Sequence, residues 1–385
     1  MTVKPNAAIV ASPTIRGMKD FSSLSAAAAL EKADTFSLII DVRSPSEFAL
    51  DHLPHSVNFP VLNDEERIQI GTLDKQVSSF DAKKAGAALV ARNIATILDT
   101  HLVGLKRQDK VLVYCWRGGN RSGALATVLA RIGYSVAIVE GGYRAYRREI
   151  IDQLDRIAEQ FRYKVIVGRT GSGKSLMLQA LKAAGEQVLD LEDLARHKGS
   201  VLGLVPGDVQ PSQKRFESLV WETLKQFDTA RPVYVESESK KIGQCQVPEK
   251  LIASMRTSPC IDLVASLETR VALLKLQYPH FLARESTLGT KLDALTALHG
   301  HDMVEAWKTM AAGKHWDLLV ADLLACHYDP AYDRSIRRNF ARFNEAKTMS
   351  WHFDGGLDDE ASRQQSLAQA VHTCASEIQK LSAQG

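Results

Sequence analysis

The sequence predicts an α/β fold made of two parallel-sheet units, the second of which ends in a mainly helical part. Strand-like apolar runs alternate with helical patterns through most of the 385 residues, as they do in α/β proteins with mostly parallel sheets. A chain of this length usually forms two or three domains. Two glycine-rich loops each follow an apolar run and precede a helical pattern.

The first unit is predicted to cover residues 1–145, followed by a linker helix over 146–162 and a second unit over 163–385. Its helix Ala82–Leu105 follows from apolar residues at helical spacing, among them Val90, Ile94 and Ile97. Its other predicted elements are strands Ser37–Val42, Val57–Phe59, Lys110–Tyr114 and Tyr134–Val139 and helices Pro45–Leu50 and Ser122–Ile132.

A helix from Tyr143 to about Gln160 is predicted to join the units, and the pattern becomes mainly helical from Leu267 onward. Between them, the second unit is predicted to contain strands Tyr163–Val167, Gln187–Leu191, Pro232–Glu236 and Cys260–Ala265 and helix Lys174–Ala184.

Composition narrows the class of protein. The apolar fraction of 45% and the charged fraction of 24% are those of a folded globular protein. No apolar run approaches the roughly 18–20 residues of a membrane span, and Leu24–Leu30 lacks the flanks of a signal peptide. We therefore expect a cytoplasmic protein without a membrane partner. The net charge of +3 is small, so nucleic-acid binding would need a local basic patch.

The cysteines indicate neither a disulfide framework nor a zinc site, because they are odd in number, scattered and without a C-x-x-C pair. Only one lies in a glycine- and arginine-rich loop, and we expect the other four to be structural. The five are Cys115, Cys245, Cys260, Cys326 and Cys374.

The first glycine-rich loop places Cys115 directly after the apolar run Val111–Tyr114. Backbone N–H groups between a strand and a helix can form an anion-binding concavity, and the helix start adds its positive end. Both favour the thiolate, so we expect the pKa of Cys115 to be depressed. The alternative is a buried structural cysteine, but two glycines and two arginines are unusual in a core turn. The predicted site comprises catalytic Cys115, Arg117 and Arg121 and the anion loop Gly118, Gly119 and Asn120.

The second loop, Gly168–Ser175, has the pattern G-x-x-x-x-G-K-S between a strand and a helix, which predicts a phosphate-binding loop. Its N–H groups would surround a diphosphate, the lysine would neutralise charge, and the terminal hydroxyl could hold Mg²⁺. No tightly bound cofactor and no dedicated metal site are expected. The predicted diphosphate-binding residues are Gly168, Gly171, Ser172, Gly173, Lys174 and Ser175.

Carboxylates follow two further predicted strands of the second unit, where one of them could order a metal ion or its water. The alternative for each is a solvated loop charge. The candidates are Asp190, Glu236 and Glu238, with Glu192 and Asp193 beside the first.

Two arginine clusters are candidate nucleic-acid-binding surfaces, because guanidinium groups bind phosphates and aromatic rings stack on bases. The second cluster is predicted to lie along one side of a helix, with Phe340 and Phe343 interleaved. The alternative for both is a solvated face paired with acidic neighbours. The clusters are Arg144, Arg147 and Arg148, and Arg334, Arg337, Arg338 and Arg342.

The first half of the chain resembles rhodanese domains over roughly residues 20–150. The resemblance is carried by Asp41–Phe48, His52–Pro54, Asn58–Pro60 and, after the next strand, Glu140–Tyr143. Rhodanese domains are similar to the dual-specificity phosphatases, whose loop also has five residues between cysteine and arginine.

With both loops in this order, nearly the whole chain resembles the tRNA 2-selenouridine synthase family, a rhodanese domain fused to a P-loop domain. A departure is Asp74, where the family pattern usually has tyrosine. The similar stretches are Asp64–Arg67, Gly71-Thr72, Lys75-Gln76, Asp190–Glu192, Leu194–His197, Gln210–Gln213, Glu236–Ser239, Ile242-Gly243, Tyr328–Pro330 and Tyr332.

This resemblance implies an enzyme that replaces sulfur by selenium in wobble 2-thiouridine of tRNA. It implies selenophosphate as the donor, with an enzyme that supplies it as a partner, and an S-geranyl-2-thiouridine intermediate made from geranyl diphosphate. Cys115 would act in the selenium step as nucleophile or carrier, with Arg117 and Arg121 on the phosphate of selenophosphate. The P-loop would stabilise the leaving diphosphate.

Two other functions stay open at this point. One is a rhodanese-fold phosphatase or arsenate-reductase-like enzyme with a regulatory P-loop domain. The other is a small-molecule P-loop kinase whose first half only binds a ligand. Phosphoester hydrolysis would favour the former, and ATP turnover that survives loss of Cys115 would favour the latter.

Overall fold

The structure is a computed structural model, and it describes residues 21–198, 209–279, 285–353, 355 and 359–383. The first 20 residues of the predicted unit 1–145 lie outside the described residues, as do short parts of the region predicted to be helical after Leu267. The chain divides into two compact units, Met1–Glu149 and Ile150–Gly385. Among the described residues, no helix combines the length and apolar character that a membrane span needs.

The first unit is a five-stranded parallel sheet in the order β1-β5-β4-β2-β3. Its strands are β1 (Ser22–Leu24), β2 (Leu38–Asp41), β3 (Ser56–Asn58), β4 (Lys110–Tyr114) and β5 (Ser135–Val139). Its helices are α1 (Ala26–Glu31), α2 (Pro45–Leu50), α3 (Asp64–Gln76), α4 (Ser79–Thr100), α5 (Asn120–Ile132) and the start of α6 (Gly142–Ala158).

Strand β4 lies inside this sheet, and Val111–Tyr114 are fully buried. A parallel strand covered on both faces reads as a continuous apolar run, which is why this strand could be predicted with its correct bounds. Local signals set the helix ends: α2 begins at a capping box made by Ser44 and Glu47, and α5 ends at Gly133 with φ 113°.

The second unit holds a five-stranded parallel sheet in the order β12-β11-β6-β8-β7 and a two-stranded antiparallel hairpin. Its strands are β6 (Tyr163–Val167), β7 (Gln187–Leu189), β8 (Val233–Glu236), β9 (Lys241–Ile242), β10 (Cys245–Gln246), β11 (Cys260–Ala265) and β12 (Lys347–Trp351). Its helices are α7 (Lys174–Ala183), α8 (Leu191–Ala195), α9 (Gln213–Lys225), α10 (Glu249–Thr257), α11 (Leu267–Gln277), α12 (Glu285–Asp293), α13 (Thr296–His299), α14 (His301–Ala312), α15 (Trp316–Leu323), α16 (Asp329–Asn339) and α17 (Glu360–Ala383).

The α/β class with parallel sheets is confirmed, but the mainly helical region after Leu267 contains a strand that the sequence did not predict. Strand β12 pairs in parallel with β11 at the edge of the sheet. Only Met349 and Trp351 of β12 are buried, so its pattern lacks the continuous apolar run of a central strand.

Three of the family-like stretches meet beside the β9–β10 hairpin. The Gln210 amide donates to the backbone oxygens of Ala195 (3.0 Å) and Ile242 (3.2 Å), and its oxygen accepts from the Gln244 N–H (2.8 Å). A side chain at Gly243 would lie 2.2 Å from Gln210 Oε1, and its φ is 57°. These residues therefore shape the backbone that follows β8.

Candidate functional site

Cys115 is the last buried residue before the loop that joins β4 to α5. Its Sγ accepts hydrogen bonds from the backbone N–H of Gly119 (3.4 Å) and from Ser122 Oγ (3.2 Å). Burial would raise the pKa of the thiol, but hydrogen bonds from Ser122 and from the loop N–H groups outweigh it, so the pKa lies below its ordinary value. The loop thus favours a nucleophilic thiolate.

Two glycines let a second loop pack directly against the cysteine loop. A Cβ on Gly142 (φ 56°) would lie 2.2 Å from the backbone oxygen of Cys115, and one on Gly118 (φ 65°) would lie 2.5 Å from the oxygen of Val139. The N–H of Tyr143 donates to the Cys115 oxygen at 2.8 Å. Gly118 and Gly142 are therefore required for the shape of the anion loop.

The two arginines of the loop have different surroundings. Arg121 forms a two-point ion pair with Glu47, at 2.7 and 3.3 Å, and despite the opposing effect of burial this pair lowers the pKa of Glu47. Both terminal nitrogens of Arg121 contact Glu47 in this conformation, and the role of Arg121 on the phosphate of selenophosphate stays a prediction. Arg117 is exposed and makes no ion pair with any described residue.

The rhodanese-like signature has a structural role beside this loop. Arg43 and Asp41 form a fully buried ion pair with N–O distances of 2.5–3.0 Å. The Arg43 guanidinium lies 4.0 Å from the ring centre of Tyr143, and the Tyr143 hydroxyl donates to Asp51 at 2.9 Å. This network supports the segment that follows Gly141 and Gly142.

In the second unit, Gly168–Gly173 joins β6 to α7, and Lys174 is the first helical residue. Its Nζ donates to the Gly168 oxygen at 2.9 Å. A Cβ on Gly173 (φ 89°) would lie 2.5 Å from the Trp351 ring, whose Nε1 donates to the Ser172 oxygen at 2.8 Å. The ring of the edge strand β12 thus supports the loop from behind.

A cluster of three glutamates faces this loop. Glu192, Glu236 and Glu238 place one carboxylate oxygen each within 4.8 Å of one another, and Ser175 Oγ donates to Glu192 at 3.3 Å. Glu236 Oε1 is buried and has no hydrogen-bond partner among the residues that the structure describes. Asp190, the other candidate, caps α8 by accepting from the Asp193 N–H at 2.9 Å.

The loop and the glutamates line one cavity of about 650 Å³. Burial raises the pKa of Glu192 to about 7 and of Glu238 to about 8, and neighbouring carboxylates add to both shifts. The pKa of the fully buried Glu236 is also raised, first by burial and then by Glu192 and Glu238. A hard cation bound by the carboxylate oxygens would relieve the repulsion between these three glutamates.

The second arginine cluster extends beyond the end of helix α16. Helix α16 ends at Asn339, Phe340 is buried, and Arg342 pairs with Glu345 at 2.9 Å outside that helix. The expectation of a single helix face over all six residues is wrong, because the buried Phe340 turns the chain. The arginines of α16 are exposed and have no ion pair among the described residues, and they are Arg334, Arg337 and Arg338.

The first arginine cluster lies at the start of α6. Arg144 and Arg148 are exposed, while Arg147 is half-buried.

Three residues of the second site had no role predicted from the sequence, and a fourth, Glu192, was named only beside the candidate Asp190. Glu192 belongs to the glutamate cluster because α8 begins directly after β7. Trp351, Arg270 and Tyr332 contact the phosphate loop from distant parts of the chain. Of these last three, only Tyr332 had a signal in the sequence, as part of a family-like stretch without an assigned role.

Comparisons with known proteins agree with this architecture. Residues 24–149 match the family described as the Rhodanese-like domain. Residues 161–298 match the family described as the tRNA 2-selenouridine synthase AAA domain.

Three proteins named tRNA 2-selenouridine synthase are similar over long stretches. One from Sulfurovum sp. (strain NBC37-1) is 29% identical over 79% of this chain and 90% of its own length. One from Aeromonas salmonicida (strain A449) is 37% identical over 63% of this chain and 65% of its own length. One from Alcanivorax borkumensis is 32% identical over 78% of this chain and 90% of its own length. Together with the two loops and the domain order, these matches show that the chain belongs to the tRNA 2-selenouridine synthase family.

Proposed function

We propose that this protein replaces sulfur by selenium in wobble 2-thiouridine of tRNA, in the cytoplasm, through an S-geranyl-2-thiouridine intermediate. Geranyl diphosphate and selenophosphate are the co-substrates of this proposal, and a selenophosphate-forming enzyme would supply the latter. The observation that carries it is the presence, in a chain of this family, of one loop that favours a thiolate and another suited to a diphosphate.

The phosphate loop suits the alkylation step. The soft thiocarbonyl sulfur attacks the allylic carbon, the C–S bond forms, and the C–O bond to diphosphate breaks with both electrons on oxygen. The base then loses its N3 proton. Lys174 and the N–H groups of Gly171–Ser175 can stabilise the charge that develops on the diphosphate.

The cysteine loop suits the selenium step. In the net reaction of this step, a bond forms between selenium and C2 of the base. The geranyl thiol leaves with its electrons and takes a proton, and water cleaves the P–Se bond to give phosphate. Selenium keeps its oxidation level throughout, so transfer onto Cys115 as a persulfide-like species would require an oxidant. We therefore assign Cys115 as the nucleophile at C2: its thiolate forms a C2–S bond as the geranyl thiol leaves, and selenium then forms the C2–Se bond as the Cys115 thiolate leaves. Arg117, which has no ion pair among the described residues, can contact selenophosphate.

Mg²⁺ fits the second site because three carboxylates converge there and the buried Glu236 Oε1 has no partner among the described residues. When bound, the ion would help neutralise a diphosphate. Glu192, Glu236 and Glu238 would hold it together with Ser175.

The glutamate cluster predicts a pH-dependent stability. The folded-state pKa values of about 7 for Glu192 and about 8 for Glu238 exceed the ordinary 4.5, so the folded protein binds more protons over this range. Protonation of these two groups therefore favours the folded state. Their contribution to the free energy of unfolding is fully present below about pH 4.5 and is lost as the pH rises through about 8. We expect Tm, followed by circular dichroism, to fall over this window, and Mg²⁺ to restore it at the alkaline end.

Glu238→Gln should flatten this pH dependence, whereas exposed Glu65→Gln should not. A Tm that is independent of pH and of Mg²⁺ in the wild type would contradict the assignment of the cluster.

We propose that the exposed arginines of α16 bind tRNA phosphates. Arg338→Glu should weaken tRNA binding and reduce the slope of log K against log salt by about 1. Filter binding at several salt concentrations measures this, with exposed Arg92→Glu on α4 as the matched control. Unchanged affinity in Arg338→Glu would remove α16 from the RNA-binding surface.

The test of the whole function is to withhold one co-substrate at a time from purified protein and thiolated tRNA. Without selenophosphate, nucleoside mass spectrometry should detect the S-geranyl nucleoside. Hydrolysis of generic phosphoesters with no change in the nucleoside would favour the phosphatase alternative instead.

A further inference from the structure

Helix α16 contacts the phosphate loop through several side chains. Asp333 accepts from Arg169 at 3.1 and 2.7 Å. Asp329 accepts from the buried Arg270 at 2.9 and 2.5 Å, and Arg270 Nε donates to the Thr170 oxygen at 2.8 Å. These contacts fix the position of α16 relative to the loop.

Tyr332, between these two aspartates, reaches into the phosphate site itself. Its hydroxyl accepts from the Gly168 N–H at 2.6 Å, and its side chain lines the cavity shared with Lys174 and Glu236. Lys174 Nζ lies 5.8 Å from the centre of its ring and donates to the Gly168 oxygen. The phenol therefore binds the N–H, and the lysine the oxygen, of the same glycine.

Among the described residues, the hydroxyl proton of Tyr332 has only a weak hydrogen-bond acceptor. The hydroxyl accepts from Gly168, and its other contact among the described residues is Ser237 Oγ at 3.5 Å, at the limit of a hydrogen bond. Burial raises the pKa of Tyr332 to about 12, so the group remains a donor at neutral pH. A donor fixed at its oxygen beside an anion-binding loop is suited to an anionic ligand.

We propose that Tyr332 is a further catalytic residue of the phosphate site, which donates a hydrogen bond to an oxygen of the diphosphate bound in the loop. This deepens the proposed function and rests on it. During alkylation the C–O bond breaks with both electrons on the diphosphate, and the phenol stabilises the added charge while keeping its proton. Tyr332 therefore contributes more in the transition state than in the ground state.

The test is Tyr332→Phe in the full chain, which keeps the ring and removes the donor. We expect kcat for S-geranyl nucleoside formation to fall by roughly 10- to 100-fold with a smaller change in KM. The affinity for inorganic pyrophosphate, measured by calorimetry, should fall by a smaller factor. The matched control is Tyr163→Phe, since that buried phenol donates to the Ala158 oxygen at 2.9 Å at the other end of β6.

Asp333→Asn separates the donor from loop positioning, because it weakens the exposed pair with Arg169 and leaves the phenol in place. A loss in kcat equal to that of Tyr332→Phe would overturn the proposal, as would wild-type kcat in Tyr332→Phe. If Tyr332→Phe lowers Tm more than Tyr163→Phe does, the pyrophosphate affinity of the folded fraction of Tyr332→Phe is compared with that of the wild type. Equal affinities would then overturn the proposal. If the wild type binds pyrophosphate but forms no alkylated nucleoside, the proposed function fails and the pyrophosphate comparison still tests the hydrogen bond.

Discussion

Cys115→Ala is expected to abolish selenouridine formation while leaving the S-geranyl intermediate to accumulate on the tRNA. Removal of a catalytic nucleophile commonly lowers kcat by about 10⁴-fold or more. The fold should survive, because the side chain is small and its loop is shaped by Gly118, Gly142 and backbone hydrogen bonds. Nucleoside mass spectrometry separates the 2-thio, S-geranyl and 2-seleno products.

The matched control is Cys326→Ala, since Cys326 is half-buried in the second unit and lies outside both loops. It should convert tRNA at the wild-type rate. Normal selenium incorporation by Cys115→Ala would show that the thiol is not the nucleophile, whatever its pKa.

Lys174→Ala is expected to fail at the other step. Its Nζ lies at the phosphate loop, 2.9 Å from the Gly168 oxygen, where it would neutralise a loop-bound diphosphate, and loss of one such stabilising group lowers kcat by about 10²–10³-fold. Alkylation of thiolated tRNA should fall by this factor. Selenium exchange on tRNA that has already been alkylated should proceed, because Cys115 is untouched.

Lys182→Ala is the control for this variant, since Lys182 is exposed in the last turn of the same helix. If Lys174→Ala blocks selenium exchange on pre-alkylated tRNA as strongly as it blocks alkylation, the assignment of one loop to each step is wrong.

The parts of the fold that could be predicted are those with local signals. Strands Lys110–Tyr114, Tyr163–Val167 and Cys260–Ala265 have the predicted bounds, because central parallel strands read as apolar runs. Both loops lie between a strand and a helix, as glycines and the strand ends indicated. The edge strand Lys347–Trp351 escaped prediction because only Met349 and Trp351 are buried, so it lacks a continuous apolar run.

Which residues make up the two sites was harder to predict, because it depends on contacts between residues that lie far apart in sequence. Glu47 binds Arg121 across 74 positions of sequence, and Tyr332 binds Gly168 across 164. No spacing rule relates such residues, because the sheet order decides which strand ends meet. The glutamate cluster was predicted in part, since Glu236 ends β8 and Glu238 follows it. The choice between Asp190 and Glu192 depended on which of them caps α8.

The most direct test of the account is a time course of nucleosides from thiolated tRNA with the wild-type protein and both co-substrates. We expect 2-thiouridine to decline first, the S-geranyl nucleoside to rise and fall, and 2-selenouridine to appear after a lag. Selenouridine formed at full rate without geranyl diphosphate, or thiolated tRNA left unchanged while ATP is consumed, would contradict it.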